Sequence, residues 1–212
     1  MMTRAAINNS LFLVGLLLQI GLLVLVCLRG LARRIPSFTL LLFFYPMRSL
    51  VLFVLPRVIG PADFGVAYRE LSLFGLLLQV VVAAEIGWHL WRVLGSLRWG
   101  LLLVPVVAWL GAVALWAVLP GRTPLPVDRL QMFCSITMLL LCGLALAGRT
   151  GSLLLRVIAG LGVFGAVDLV ATAGKSFAAL HRDAASFAVW SYADAGCYLL
   201  VVIFWMASLR NE

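Results

Sequence analysis

The chain has 212 residues, of which 64% are hydrophobic and 11% are charged, and it carries a formal charge of +8 at pH 7. Because a soluble domain is about 45–50% apolar and about 25% charged, this composition excludes an ordinary soluble domain and indicates a chain that folds in lipid. The positive charge comes from arginines between the apolar runs, where such residues anchor and orient membrane helices, so we expect no nucleic-acid partner.

Seven apolar runs are long enough to cross a bilayer as helices, which takes about 20 mostly apolar residues. The runs are Ser10–Leu28, Ser37–Leu55, Leu71–Leu94, Leu101–Leu119, Val127–Ala147, Leu153–Ala173 and Phe187–Leu209. Segments rich in proline, glycine and charged residues separate them, such as RGLARRIP, PRVIGPADFG and LPGRTPLPVD, and these predict turns. The sequence therefore predicts an all-α integral membrane protein, a seven-transmembrane-helix bundle in which residues 1–212 form a single domain.

The first run is predicted to be a retained span and not a cleaved signal peptide. The segment before it, MMTRAAINN, contains one arginine, and no small-x-small cleavage site precedes the charged RGLARR that follows the run.

The basic residues of the loops predict that the N-terminus lies outside and the C-terminus lies in the cytoplasm. With this orientation seven basic residues lie outside and eight are cytoplasmic, namely Arg29, Arg33, Arg34, Arg92, Arg98, Arg149, Arg156 and Arg210. The densest group of arginines directly follows the first run, and the acidic loop residues fall outside, which strengthens the prediction.

Two runs contain the motif GLLLQ, which ends at Gln19 in the first and at Gln79 in the third. A glutamine that faces lipid leaves its amide without hydrogen-bond partners, so we expect both side chains to face other helices.

Four ionisable residues lie within the runs, where a charge at the bilayer centre costs about 2.5–3.5 kcal/mol. Arg48 lies in FFYPMRSLVLF, Asp168 in FGAVDLVATAGK and Asp194 in SYADAGCYLL. The fourth, Glu85, lies one turn before His89 near the end of its run, which is more typical of a solvated helix end than of a proton relay.

Polar residues recur at helical spacing in these runs, so they form faces. The faces are Ser72, Gly75 and Gln79 in the third run, Gln131, Ser135, Met138 and Cys142 in the fifth, Asp168, Thr172 and Lys175 in the sixth, and Ser191, Asp194 and Tyr198 in the seventh. Most of them lie in the outward half of the predicted bundle.

These faces predict a polar cleft that opens to the outside, has Arg48 at its floor, and binds a small polar or anionic ligand. The predicted ligand-binding residues are Arg48, Gln79, Gln131, Asp168, Asp194 and Tyr198. The alternative is that Arg48 forms a structural ion pair with Asp194 or Asp168 inside a packed bundle.

No cofactor, metal site or enzyme activity is predicted. His89 and His181 lie at opposite sides of the membrane, so they cannot bracket one haem, and no zinc-type cluster is present. The GxSxG, HExxH and P-loop motifs are absent. GLGVFG in the sixth run resembles a dinucleotide motif, but within a membrane helix it predicts close helix packing.

Three segments, FFYPMRSLVLF, AYRELSLF and VDRLQMFCSITMLLL, resemble a family of bacterial seven-helix membrane proteins that has no assigned activity. The family pattern has an arginine-serine pair in the second span, an acidic residue that opens the third and a charged pair that leads the fifth. The matching positions here are Arg48, Ser49, Glu70, Asp128 and Arg129. The resemblance implies the seven-helix architecture and implies no function.

We therefore expect a multi-pass protein of the bacterial cytoplasmic (inner) membrane, for which three functions stay open. The first is a ligand-binding or sensory module that acts through a membrane-protein partner or as a homo-oligomer. The second is a small transporter or ion pathway that uses the intramembrane arginine and aspartates. The third is a structural or accessory subunit of a membrane complex, in which the charges hold helices together.

Overall fold

The computed structural model describes residues 4–119, 126–148 and 150–210. Within these ranges the chain is all-helical and contains no strand. The long helices are α1 (Arg4–Leu28), α2 (Pro36–Val54), α3 (Pro61–Val93), α4 (Arg98–Val118), α5 (Pro126–Ala147), α6 (Ser152–Leu180) and α7 (Ala184–Leu209). Each contains a stretch that is long and apolar enough to cross a membrane, which confirms the predicted number of spans.

Two helices extend well beyond the apolar runs that predicted them. α3 begins at Pro61 and not at Leu71, so PADFG is helical and not part of a turn. Proline suits the first position of a helix, and the negative charge of Asp63 in the first turn interacts favourably with the positive end of the helix dipole. α6 continues to Leu180, so Lys175 lies within the helix.

Glycine and proline mark the turns between the helices. Gly30, after α1, has a φ of 66°, and Gly95, between α3 and α4, has a φ of 53°. Glycine adopts this left-handed backbone at little cost because it has no Cβ. Pro36 then begins α2, at a position where its missing N–H would have no helical partner.

α4 shows how the apolar residues divide between the core and the outside. Val104, Ala108 and Ala112 are buried and form one stripe at four-residue spacing. Leu103 and Leu110, on other faces of the same helix, are exposed. A helix that is apolar on all sides presents a surface that suits lipid and not water.

The chain divides into two compact units. The first extends to Val82 and includes the C-terminal residues from Met206; the second is Ala83–Trp205. The boundaries fall inside α3 and near the end of α7. The single domain expected from the sequence stays a prediction.

Candidate functional site

Two glycines of α6 bring this helix close to α5 in the second unit. A Cβ on Gly165 would lie 2.8 Å from the carbonyl oxygen of Ser135, and a Cβ on Gly162 would lie 2.7 Å from the Cβ of Cys142. Neither distance leaves room for a side chain, so only glycine permits this approach. The contact confirms that GLGVFG packs helices, and Ser135 and Cys142 belong to the face predicted for the fifth run.

Asp168 lies one turn beyond Gly165 on α6 and is only 2% exposed. The amide of Gln131 donates a hydrogen bond to its Oδ1 at 2.7 Å, and the hydroxyl of Ser135 donates one to its Oδ2 at 2.6 Å. Gln131 and Ser135 are four residues apart on α5, so both donors point from one face. Each carboxylate oxygen therefore has a neutral donor from the neighbouring helix.

An ion pair joins α6 to α7 in the same unit. Lys175 Nζ lies 2.8 Å from Asp194 Oδ2, and the two side chains are 20% and 21% exposed. The other oxygen of this carboxylate, Asp194 Oδ1, is buried and has no hydrogen-bond donor among the described residues. Lys175 lies two helical turns after Asp168 on α6, on the same face of the helix. We call Gln131, Ser135, Asp168, Lys175 and Asp194 the Asp168 cluster.

Tyr198 packs against α6 one turn from Asp194. Its ring meets that of Phe164 edge to face, with 5.6 Å between the centroids. Further along α7, the indole of Trp205 donates a hydrogen bond to the carbonyl oxygen of Arg156 at 3.2 Å and lies directly against Gly160. These contacts hold α7 against α6 at the C-terminal end of the predicted polar face and beyond it.

Arg48 lies in the first unit, where its partners are neutral. Its Nη2 donates a hydrogen bond to the hydroxyl of Ser72 at 2.9 Å, and its guanidinium lies 5.6 Å from the centre of the Tyr68 ring. Its Nε is buried and has no acceptor within the described ranges. Within this unit its partners are thus a hydroxyl and an aromatic face. An ion pair with Asp168 or Asp194, which the sequence offered as the alternative, would join the two units and stays a prediction.

The glutamines of the two GLLLQ motifs also lie in the first unit. Gln79 donates a hydrogen bond to the hydroxyl of Tyr45 at 2.8 Å, and Gln19 is buried. Both side chains therefore avoid the exposed surface, which confirms the expectation from the sequence.

The six predicted ligand-binding residues thus fall into two groups. Gln131, Asp168, Asp194 and Tyr198 lie in the second unit, whereas Arg48 and Gln79 lie in the first. A cleft that draws on both groups stays a prediction. Ser135 and Lys175 were not predicted as site residues, although the helical spacing that placed them on polar faces was the signal for them.

Comparisons with known protein families, with curated proteins and with solved structures find no match to this chain. The resemblance to a bacterial seven-helix family therefore stays an expectation. In the part of the chain that the structure describes, no three His, Cys, Asp or Glu side chains are grouped as a metal site would require.

Proposed function

We propose that this chain is a multi-pass protein of the bacterial cytoplasmic membrane, with its N-terminus outside and its C-terminus in the cytoplasm. Seven helices of sufficient length and apolarity support membrane insertion. The arginines that follow α1 support the orientation, because cytoplasmic loops carry the excess of basic residues.

In that membrane, the protein binds a proton or a small cation at the Asp168 cluster and acts as a sensory module through a membrane partner or a second copy. The observation that supports this proposal is the charge of the cluster. Asp194 pairs with the ammonium of Lys175, whereas the hydrogen-bond donors to Asp168 are neutral. With all three groups ionised, the cluster carries one excess negative charge.

An excess charge inside a membrane protein is unfavourable because the surroundings solvate it poorly. Binding a proton or a cation removes that charge, so the cluster responds to pH or to cation concentration. The unused Asp194 Oδ1 offers an additional oxygen to such a ligand. The sequence favoured a polar or anionic ligand because Arg48 was expected in the same site, whereas the charge of the Asp168 cluster favours a cation.

A second candidate function is a proton or cation pathway. Lys175 and Asp194 are about one-fifth exposed, whereas Asp168 is almost fully buried. The three groups therefore form a gradient from a partly accessible pair to an enclosed carboxylate. Chains of ionisable residues of this kind serve as proton relays in membrane transporters.

The first experiment measures thermal unfolding of the purified protein in lipid nanodiscs across pH, with choline, sodium or potassium chloride. Binding to the folded state at a hundred times Kd stabilises it by about 2.7 kcal/mol. We expect a pH- or cation-dependent shift in the parent that is absent in Asp168→Asn. Glu70→Gln, which changes an exposed carboxylate paired with Arg69, is the matched control and keeps the shift.

The same preparations in liposomes with an internal pH dye separate the two candidate functions. Proton or cation flux that Asp168→Asn abolishes favours the pathway, whereas ligand-dependent stability without flux favours the sensory module. If neither stability nor flux depends on Asp168, the proposal is wrong and the cluster holds helices together. Co-purification of a stable membrane partner then identifies an accessory subunit.

A further inference from the structure

The turn between α3 and α4 concentrates arginine and tryptophan at one end of two predicted spans. The guanidinium of Arg92 lies 5.0 Å from the ring centre of Trp88. The guanidinium of Arg98 lies 5.8 Å from Trp91 and 5.4 Å from Trp99. The rings of Trp91 and Trp99 meet edge to face, 6.0 Å apart. We call these five residues the α3–α4 arginine cluster; all five lie in the second unit.

The arginines of this cluster retain their hydrogen-bonding capacity. Within the ranges that the structure describes, neither Arg92 nor Arg98 forms an ion pair or a side-chain hydrogen bond. A guanidinium that lies against an aromatic ring uses its face for that contact, and its five N–H donors remain in the plane. Those donors form the fork that binds a phosphate through two parallel hydrogen bonds.

The tryptophans indicate where such a phosphate is held. Trp88 and Trp99 are 59% and 61% exposed, which leaves large amphipathic rings available to a lipid environment. Tryptophan prefers the depth of the lipid headgroups, with its apolar body towards the chains and its N–H towards water. The cluster lies where the spans Asp63–Val93 and Gly95–Val118 end and begin, which is the same depth.

We propose that the α3–α4 arginine cluster is a binding site for the phosphate of an anionic phospholipid. Arg92 and Arg98 bind the phosphate, and the tryptophans pack against the glycerol and the upper acyl chains. The positive φ of Gly95 turns the chain between the two arginines. In the proposed orientation this turn is cytoplasmic. The proposal requires membrane insertion but not the function of the Asp168 cluster.

The opposite end of α4 provides a matched control. There, Arg129 of α5 lies 4.1 Å from the ring centre of Trp116, so a single arginine is stacked on a single tryptophan. Arg129→Gln removes the same type of contact without altering the α3–α4 turn.

The experiment is native mass spectrometry of protein released from nanodiscs with equal amounts of phosphatidylglycerol and phosphatidylethanolamine. We expect the parent to retain phosphatidylglycerol preferentially. Arg92→Gln and Arg98→Gln should each weaken this retention about fivefold, because each basic residue near the membrane surface contributes about that factor to lipid affinity. The double variant loses the preference, whereas Arg129→Gln keeps it. Arg92→Lys/Arg98→Lys preserves the charge but not the bidentate guanidinium donors, so it should give an intermediate preference. This variant also tests the proposal if the glutamine variants do not fold.

Two results would overturn the proposal. One is equal phosphatidylglycerol retention by the parent and by the folded double variant, and the other is an equal loss in Arg129→Gln. Adding inorganic phosphate distinguishes the sources of the anion, because competition at low phosphate concentration would assign the site to free phosphate instead of lipid. Asp168→Asn retains phosphatidylglycerol as the parent does, so failure of one proposal is distinguishable from failure of the other.

Discussion

Arg48 in the first unit and Lys175 in the second are both cations within helices that are long and apolar enough to span a membrane, but their partners differ in charge. Arg48 donates to the hydroxyl of Ser72 and lies over the ring of Tyr68, both of which are neutral. Lys175 pairs with the carboxylate of Asp194, which carries the opposite charge. Removing the charge of Arg48 therefore leaves no charged partner behind among Ser72 and Tyr68. Removing the charge of Lys175 leaves the carboxylate of Asp194 without its cation.

The packing around these charges differs as well. In the first unit, a Cβ on Gly75 would lie 3.0 Å from the edge of the Phe44 ring, which a small ring movement would relieve. In the second unit, a Cβ on Gly165 would meet the backbone of Ser135, which cannot move independently of α5. The helix approach beside Asp168 is thus fixed by a backbone contact, whereas the approach at Gly75 depends on an adjustable side chain.

The largest expected effect comes from Gly165→Ala. The added Cβ would force α5 and α6 apart and would lengthen the hydrogen bond from Ser135 to Asp168. Overpacking costs about 1–3 kcal/mol, and we expect the upper end because the hydrogen bond is weakened too. The midpoint of SDS-induced unfolding of the detergent-purified protein measures the change.

Gly143→Ala is the control for this variant. Gly143 lies on α5, and a Cβ there would meet no atom within 4 Å, so we expect no loss and a gain of at most about 1 kcal/mol from the higher helix propensity of alanine. Equal losses in the two variants would show that the close approach of α5 and α6 contributes nothing specific.

The next largest effect is expected from Lys175→Met. A hydrogen bond between charged groups contributes about 1.5–3 kcal/mol, and we expect the lower end because both side chains are about one-fifth exposed. Asp194→Asn should cost less, because it removes one of the two carboxylate charges of the Asp168 cluster. The double variant Lys175→Met/Asp194→Asn should recover part of the loss, and a double variant as unstable as the sum of the two would contradict the pairing.

Arg48→Leu tests the other side of the comparison and should not lower the stability. The variant loses a hydrogen bond worth about 0.5–1.5 kcal/mol and a ring contact worth about 0.5–1 kcal/mol. It also removes a charge whose insertion costs about 2.5–3.5 kcal/mol near the bilayer centre. The unfolding midpoint should therefore stay near that of the parent or rise. A loss as large as that of Lys175→Met would instead support the structural ion pair that the sequence suggested for Arg48.

The sequence predicts the number of spans and the residues that share each face, because both follow from composition and helical period. The Gln131–Ser135 face and the packing role of Gly162 and Gly165 were predictable in this way. The partner of Lys175 was not, because spacing along one helix does not determine which neighbouring helix that face meets. Lys175 lies beyond the predicted end of the sixth run at Ala173, whereas α6 continues to Leu180.

The start of α3 was missed for a different reason. Hydropathy marks the apolar part of a span, whereas α3 begins in the polar segment that starts at Pro61. A proline and an aspartate are turn residues in general, but at the first turn of a helix they favour the helix. Only the position relative to the helix distinguishes the two roles.

The smallest expected effect concerns Asp183, an exposed carboxylate of the second unit. Its variants distinguish the pH response of a helix end from the pH response of the Asp168 cluster. Asp183 directly precedes α7 and accepts hydrogen bonds from the hydroxyl of Ser186 and from the backbone N–H groups of Ser186 and Ala185. These bonds, that of the Ser186 hydroxyl above all, hold the pKa of Asp183 below its usual value of 3.8.

Because the folded state lowers this pKa, the cap stabilises the first turn of α7 above the pKa of the unfolded chain. That contribution is lost as the pH falls through the lowered pKa, in the acidic range below 3.8. Amide hydrogen exchange at Ala185 and Ser186 should quicken in that range for the parent. Asp183→Asn, which retains a capping oxygen but does not titrate, should remain protected at low pH, and Asp183→Ala should exchange quickly at every pH. If exchange at these amides depends on acid no more in the parent than in Asp183→Asn, the cap is contradicted. Any remaining pH response of the second unit would then have to arise elsewhere.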